Sequence, residues 1–223
     1  GFESRLVLMA VLVTLWGGRL TFNFARKGGY APGGEDYRWA ILRGRLRPWQ
    51  FQLFNLGFIS LYQNVIIWLM TLPALTVFQS PGPLSAWDWV LAVLFLAALA
   101  GETTADQQQW NYQQWKKAER AAGREAGRGF VQTGLFRYSR HPNFFFEQAQ
   151  WWLFYGFAVA ASGSSLHWTH AGPVLLTLLF AGSTVFTESI SAGRYPAYAE
   201  YQRRTSPIIP LPPRGHSRPL EAG

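Results

Sequence analysis

Between Gly134 and Gln148 the chain reads G-L-F-R-Y-S-R-H-P-N-F-F-F-E-Q, and side chains capable of chemistry are crowded into it. Arg137, Tyr138, Arg140 and His141 stand directly before Pro142. Guanidinium groups make paired hydrogen bonds to phosphate or carboxylate, so this run is a candidate anion-binding corner. Proline disfavours helix at the residue before it but suits a first helical turn, which predicts a helix from about Pro142. On that helix Asn143, Glu147 and Gln150 fall at i, i+4 and i+7 and share one face. A glutamate one turn inside an apolar helix is costly in lipid without a partner, and such residues mark functional sites by default.

Three further polar stripes accompany it. Glu102, Asp106, Gln109 and Gln113 lie on one helical face, as do Glu188, Ser191 and Tyr195, while Gln52, Asn55 and Gln63 punctuate another apolar run. Unpaired polar groups facing lipid cost several kcal/mol each, so these faces are expected to point inward. A purely structural role competes with a chemical one. Interhelical amide bonds account for the Gln and Asn of the second run, whereas for Glu102, Asp106 and Glu147 the alternative is ion pairing with Arg137, Arg140 and Arg194. His141 on its own would read as a helix cap, and the Lys116–Arg128 run as a basic flank of a span.

The elements that must position these groups follow from hydropathy. Five apolar spans are expected, at about 6–20, 51–72, 87–101, 143–161 and 172–190, the third continuing as a polar helix to about 122 because nothing breaks it. The tail closes with P-I-I-P-L-P-P-R, which is not helical. Seven Lys and Arg lie between Arg19 and Arg47, seven between Lys116 and Arg140 and five from Arg194 onward, with none in 73–86 or 162–171. This alternation places the two basic loops and the C-terminus on the cytoplasmic, or equivalent matrix or stromal, side. The fold expected is a single all-α polytopic membrane bundle with a cofactor cavity on that side.

Composition agrees. Of the 223 residues 49% are hydrophobic and 17% aromatic, and only 14% are charged, against about 25% in an average soluble domain. The net charge of +8 sits in the loops, and no nucleic-acid-binding signature accompanies it. With no cysteine there is no disulfide framework, thiol nucleophile or Cys-ligated metal, and no metal site is expected. Soluble nucleotide, zinc-protease and serine-hydrolase motifs are missing.

Two long elements resemble a known family. G-L-F-R-Y-S-R-H-P-N-F-F-F-E-Q-x-x-W, and then T-E-x-I-S-x-x-R-Y-P-A-Y-A-E-Y-Q-R-R-T-S-x-I-I-P, are similar to the steroid 5-alpha-reductase C-terminal superfamily, most closely to its uncharacterised bacterial, fungal and algal branch. W-G-x-R-L-T-x-N-x-x-R-K-G-G-Y, E-D-Y-R-W and E-T-x-A-D-x-Q extend the likeness over essentially the whole chain. The resemblance implies a membrane reductase that uses NADPH to saturate a carbon–carbon double bond in a sterol-like or other hydrophobic substrate. It assigns Asn143 and Asp106 to the cofactor site, with Arg194, Tyr195 and Tyr198 as a further element. Arg137, Arg140 and His141, with neighbouring Tyr138, suit the phosphates, and Gln109 and Glu147 continue the polar faces toward the cofactor.

One position departs from that pattern. Steroid reductases carry a tyrosine where this chain has Trp16, and an indole does not supply a proton at neutral pH. The family's glutamine–glutamate pair would lie upstream of these residues or be absent. Glu102 and Tyr37 are therefore the candidate catalytic groups, with Tyr30 as a substitute acid. Isoprenylcysteine and phospholipid methyltransferases share a similar R-H-P element, so an S-adenosylmethionine-dependent methyltransferase is the second reading. A catalytically silent membrane subunit of a larger complex is the third. Membrane lipids and a hydrophobic small molecule are the expected partners, and nucleic acid is not.

Overall fold

The computed structural model describes residues 3–34, 37–124, 127 and 129–214, with the Tyr37 side chain outside that set. The described residues are helical and loop structure without a strand, an all-α polytopic bundle as expected. In chain order the helices are α1 (Ser4–Arg26), α2 (Tyr37–Arg45), α3 (Pro48–Phe54), a π-helical segment (Asn55–Tyr62), α4 (Gln63–Thr71), α5 (Pro73–Gln79), α6 (Ala86–Ala121), α7 (Pro142–Ser162), α8 (Ala171–Arg194) and α9 (Tyr198–Arg204). Short 3-10 turns, Gly134–Arg137 and Trp168–His170, precede α7 and α8.

Four of the described helical stretches are long and apolar enough to cross a membrane: Ser4–Arg26, Pro48–Gln79, Ala86–Ala121 and Trp168–Arg194. The first runs beyond its expected end because T-F-N-F-A-R contains no breaker. The second continues through Pro73, which sits harmlessly in the first turn of α5. At 36 residues α6 is about 54 Å long, well beyond a ~30 Å hydrocarbon core, so the helix must carry its polar half past the apolar layer. The stretch expected to span at 143–161 is a 21-residue helix, but Asn143, Glu147, Gln148 and Gln150 make its N-terminal half too polar to join the four.

The chain forms two compact units. The first comprises Gly1–Leu96 and Gln150–Leu178. Its interior is apolar, built from Met9, Leu12, Phe95, Trp151 and Phe157 among others, with Trp16 edge-on to Trp151 at 4.8 Å. It also buries an ion pair. Arg5, the one Lys or Arg that charge counting leaves apart from the basic loops, donates from Nε and Nη2 to the Asp88 carboxylate at 2.6 and 2.9 Å and to the Pro83 carbonyl at 3.0 Å. Asp88 in turn accepts from the Ser85 N–H and hydroxyl at 2.7 and 2.8 Å, as a capping carboxylate does in a first helical turn.

The second unit comprises Ala97–Ala149 and Leu179–Gly223. Ala105, Val131 and Phe136 form its apolar centre, flanked by Tyr112 and Leu135. Gly101 lets α6 approach α7, since a Cβ there would lie 2.5 Å from the Phe146 ring. The candidate site residues belong to this unit, apart from Tyr37 and the substitute acid Tyr30, which lie in the first.

Candidate functional site

The site is assembled from the R-Y-S-R-H-P corner upward. Pro142 opens α7 and leaves the preceding residues extended, so 139–141 run beside the tail instead of coiling. The Arg140 N–H donates to the Ser206 carbonyl at 2.8 Å and the His141 N–H to the Pro207 carbonyl at 3.1 Å. Ser139, fully buried, donates its hydroxyl to the Ile208 carbonyl at 2.7 Å, and Leu211 N–H reaches Tyr138 O at 3.0 Å. The proline-rich tail is thereby strapped along the corner.

Glu188 is the centre of this arrangement. Its carboxylate accepts Arg140 Nε at 2.6 Å and Nη2 at 2.9 Å, His141 Nε2 at 3.1 Å and Gln202 Nε2 at 2.8 Å. Arg140 Nη1 also donates to the carbonyls of Gln202 and Thr205. The Arg140 and Glu188 side chains are only 8% and 9% exposed. Four of the five guanidinium donors are thus used inside the protein, and Arg140 ties α8 and α9 to the corner. His141, expected at the cofactor, is buried, with its ring stacked on Phe144 and that ring on Phe180 at 4.5 Å.

A second junction lies along α6. Lys116, buried, donates Nζ to the Gly129 carbonyl at 2.6 Å and to the Tyr195 hydroxyl at 2.8 Å. Gly129 has φ +85, and a Cβ there would fall 2.2 Å from the Tyr195 ring. Tyr198 is buried against Phe130, and Tyr201 beside it donates its hydroxyl to the Phe136 carbonyl. Burial pushes the Tyr201 hydroxyl far above the ordinary tyrosine value.

The remaining candidates sit around these two junctions. Glu102 and Asp106, one turn apart on α6, are both buried, and Gln109 on the same face is half-buried. The neighbouring face, carrying Ala105, Gln108 and Lys116, packs on the loop before the corner, where Gln108 Oε1 accepts the Leu135 N–H at 2.9 Å. Asn143 and Glu147 are half-buried on α7. Arg137 and Arg194 are exposed, the latter lying over the Tyr195 ring, and Tyr138 is exposed as well. Gln148 Nε2, Thr184 Oγ1 and Thr187 Oγ1 are buried without a hydrogen-bond partner among the described residues. Tyr37 opens α2 in the first unit and its side chain lies outside the described residues; Tyr30, also in that unit, is exposed.

Residues 1–205 match a family of proteins of unknown function, DUF1295. The chain belongs to this family. An uncharacterized protein of Schizosaccharomyces pombe is 39% identical over 220 residues, a match that takes in 93% of this chain and 64% of the yeast protein. The chain therefore spans less than two thirds of the length of that curated relative. No solved structure matches.

In this DUF1295 protein two residues central to the geometry were not among the sequence-based candidates. Glu188 was visible only as the first member of the stripe it forms with Ser191 and Tyr195, and its basic partners, Arg140 and His141, lie 48 and 47 positions away. Lys116 was hidden at the head of a basic run that reads as a flank.

Proposed function

We propose that this protein is a membrane-embedded reductase that uses NADPH to saturate a carbon–carbon double bond in a hydrophobic, lipid-like substrate, in keeping with its resemblance to the steroid 5-alpha-reductase superfamily. The observation that carries this reading is the burial of two carboxylates, Glu102 and Asp106, one turn apart in the same compact unit as the basic R-H-P-N corner. Charged side chains are rarely buried without a role, and carboxylates suit the hydroxyls of a ribose. The partnerless polar atoms of Gln148, Thr184 and Thr187 give a second support, because buried donors and acceptors in a native protein have partners, and a bound ligand would provide them.

The residues present fit such a cofactor. Arg137 and Arg194, both exposed, would hold its phosphates, while Asp106, Gln109 and Asn143 would bind ribose and amide groups. Tyr195 and Tyr198 would wall the site, Lys116 holding the first by its hydroxyl and Phe130 packing on the second. Arg140 and His141 act at one remove, keeping the corner in place through Glu188. When bound, NADPH supplies a hydride to one alkene carbon. Glu102 is assigned the proton that the other carbon requires, and the surrounding helices exclude water from the exchange.

Equilibrium binding to the purified chain in nanodiscs tests this. NADPH should bind, and Arg194→Ala and Arg137→Ala should each weaken it by about tenfold or more, the worth of one charge-assisted contact of ~1.5–3 kcal/mol. NADH, lacking the 2′-phosphate, should be affected less by whichever arginine holds that group. Binding of S-adenosylmethionine in place of NADPH would establish the methyltransferase reading. Binding of neither would leave a silent membrane subunit.

A further inference from the structure

We propose that the hollow where α2 meets α3 and the π-helical segment is a binding site for a phospholipid with an anionic headgroup. The hollow, of about 430 Å³, is walled on its polar side by Arg43, Gln52 and Asn55 and on its apolar side by Leu46, Phe51 and Ile59. A guanidinium and two carboxamides thus line one hollow, and N–H groups of these kinds recognise phosphate oxygens. Arg43 lies over the Phe51 ring at 4.8 Å, a contact that holds the cation at the hollow's edge.

Further along the same helical stretch the lining is apolar. A second, open hollow of about 460 Å³ follows along Leu56, Ser60, Leu61, Asn64, Val65 and Trp68, where Leu56, Leu61 and Trp68 are more than 60% exposed. From Asn55 to Trp68 the rise is about 20 Å at 1.5 Å per residue, enough to follow a chain through one leaflet's ~15 Å of hydrocarbon. Headgroup chemistry above and a chain-length groove below describe one amphiphile, not a free phosphate.

Two further observations point to the same occupant. Residues 37–54 contain Arg38, Arg43, Arg45 and Arg47 without an Asp or Glu, and Trp39 and Trp49 precede the apolar stretch. Basic and aromatic residues so placed mark the headgroup layer and favour anionic over zwitterionic lipid. The π-helical segment Asn55–Tyr62 contributes to both hollows, and π-helical turns concentrate at functional sites. None of the residues assigned to the reductase reading takes part, so the two proposals stand or fall separately.

Native mass spectrometry of the full chain, released from nanodiscs containing phosphatidylcholine and phosphatidylglycerol, tests the site. The wild type should retain one phosphatidylglycerol, and Arg43→Gln should weaken retention about tenfold, equivalent to about 1.4 kcal/mol. Arg45→Gln, which removes the same charge outside the hollow, should stay within about twofold. Ile59→Trp, which fills the hollow without changing charge, should lower retention as well, and it serves alone if Arg43→Gln does not fold. Equal losses in Arg43→Gln and Arg45→Gln would mean diffuse surface charge and overturn the proposal. So would equal retention of phosphatidylcholine, displacement by soluble glycerol phosphate, or unchanged retention in Ile59→Trp.

Discussion

Replacing Glu188 by leucine removes the acceptor of four hydrogen bonds and leaves the Arg140 guanidinium in a site where it is only 8% exposed. Removing one partner of a buried ion pair costs about 3–5 kcal/mol, because the remaining charge stays desolvated. For a chain of this size that is a fall in Tm of roughly 6–20 °C. The local consequence is sharper. Gln202 loses its side-chain anchor, and the Gln202 and Thr205 carbonyls depend on an arginine that is no longer held. Arg203 and Arg204, at the end of α9, should then be cut by trypsin faster by at least about a hundredfold, as expected when local opening becomes ~3 kcal/mol easier. Arg140→Met should cost a similar amount, since it strands the same two carbonyls. The double variant should resemble either single one, a coupling of about 3 kcal/mol. Cleavage at Arg203 and Arg204 at the wild-type rate in Glu188→Leu, with Tm unchanged, would refute the view that this carboxylate holds corner and tail together.

Other substitutions read the remaining junctions. Gly129→Ala forces a side chain into φ +85 and against the Tyr195 ring, so Tm should fall by several degrees, with part recovered when Tyr195→Ala relieves the clash. Arg5→Met leaves Asp88 buried with only its Ser85 contacts and should destabilise the first unit by about 3–5 kcal/mol, measured by chemical unfolding. Tyr201→Phe should lower Tm at neutral pH by stranding the Phe136 carbonyl. It should also flatten the alkaline decline. A hydroxyl whose value is raised in the folded state contributes stability that is full below the ordinary tyrosine value of about 10 and lost as pH rises above it. Wild type and Tyr201→Phe should therefore converge above pH ~10.

The large helices were legible in the chain because their signals are local. No breaker interrupts Ala86 to Ala121, and α6 runs that whole length. Pro142 announces the start of α7, and P-I-I-P the loss of helix after α9. What the chain hides are roles set by distant partners. Arg137 and Arg140 are the same residue type three positions apart, yet one is exposed and the other has its side chain only 8% exposed, because Arg140 meets Glu188. Lys116 and Lys117 differ in the same way: the first is buried on Gly129 and Tyr195, the second exposed. The π-helical segment had no sequence signal either, since N-L-G-F-I-S-L-Y reads as ordinary apolar helix.

That division of labour decides how variants of the basic corner must be read. An Arg140 variant that loses a ligand has lost the clamp on α8 and α9 as well, so reduced affinity there says nothing about contact with a phosphate. Arg137 and Arg194 carry no such burden, since both are exposed and, among the described residues, only Arg194 leans on another side chain, the Tyr195 ring. If the corner binds a phosphate-bearing cofactor, Arg137→Ala and Arg194→Ala must weaken binding at unchanged Tm, whereas Arg140→Lys must lower both together, a lysine being unable to reproduce the forked contact with Glu188. Should Arg140→Lys alone impair binding while both exposed arginines are dispensable, the geometry of the corner would be structural, and the ligand would have to be sought beside the buried carboxylates of α6 instead.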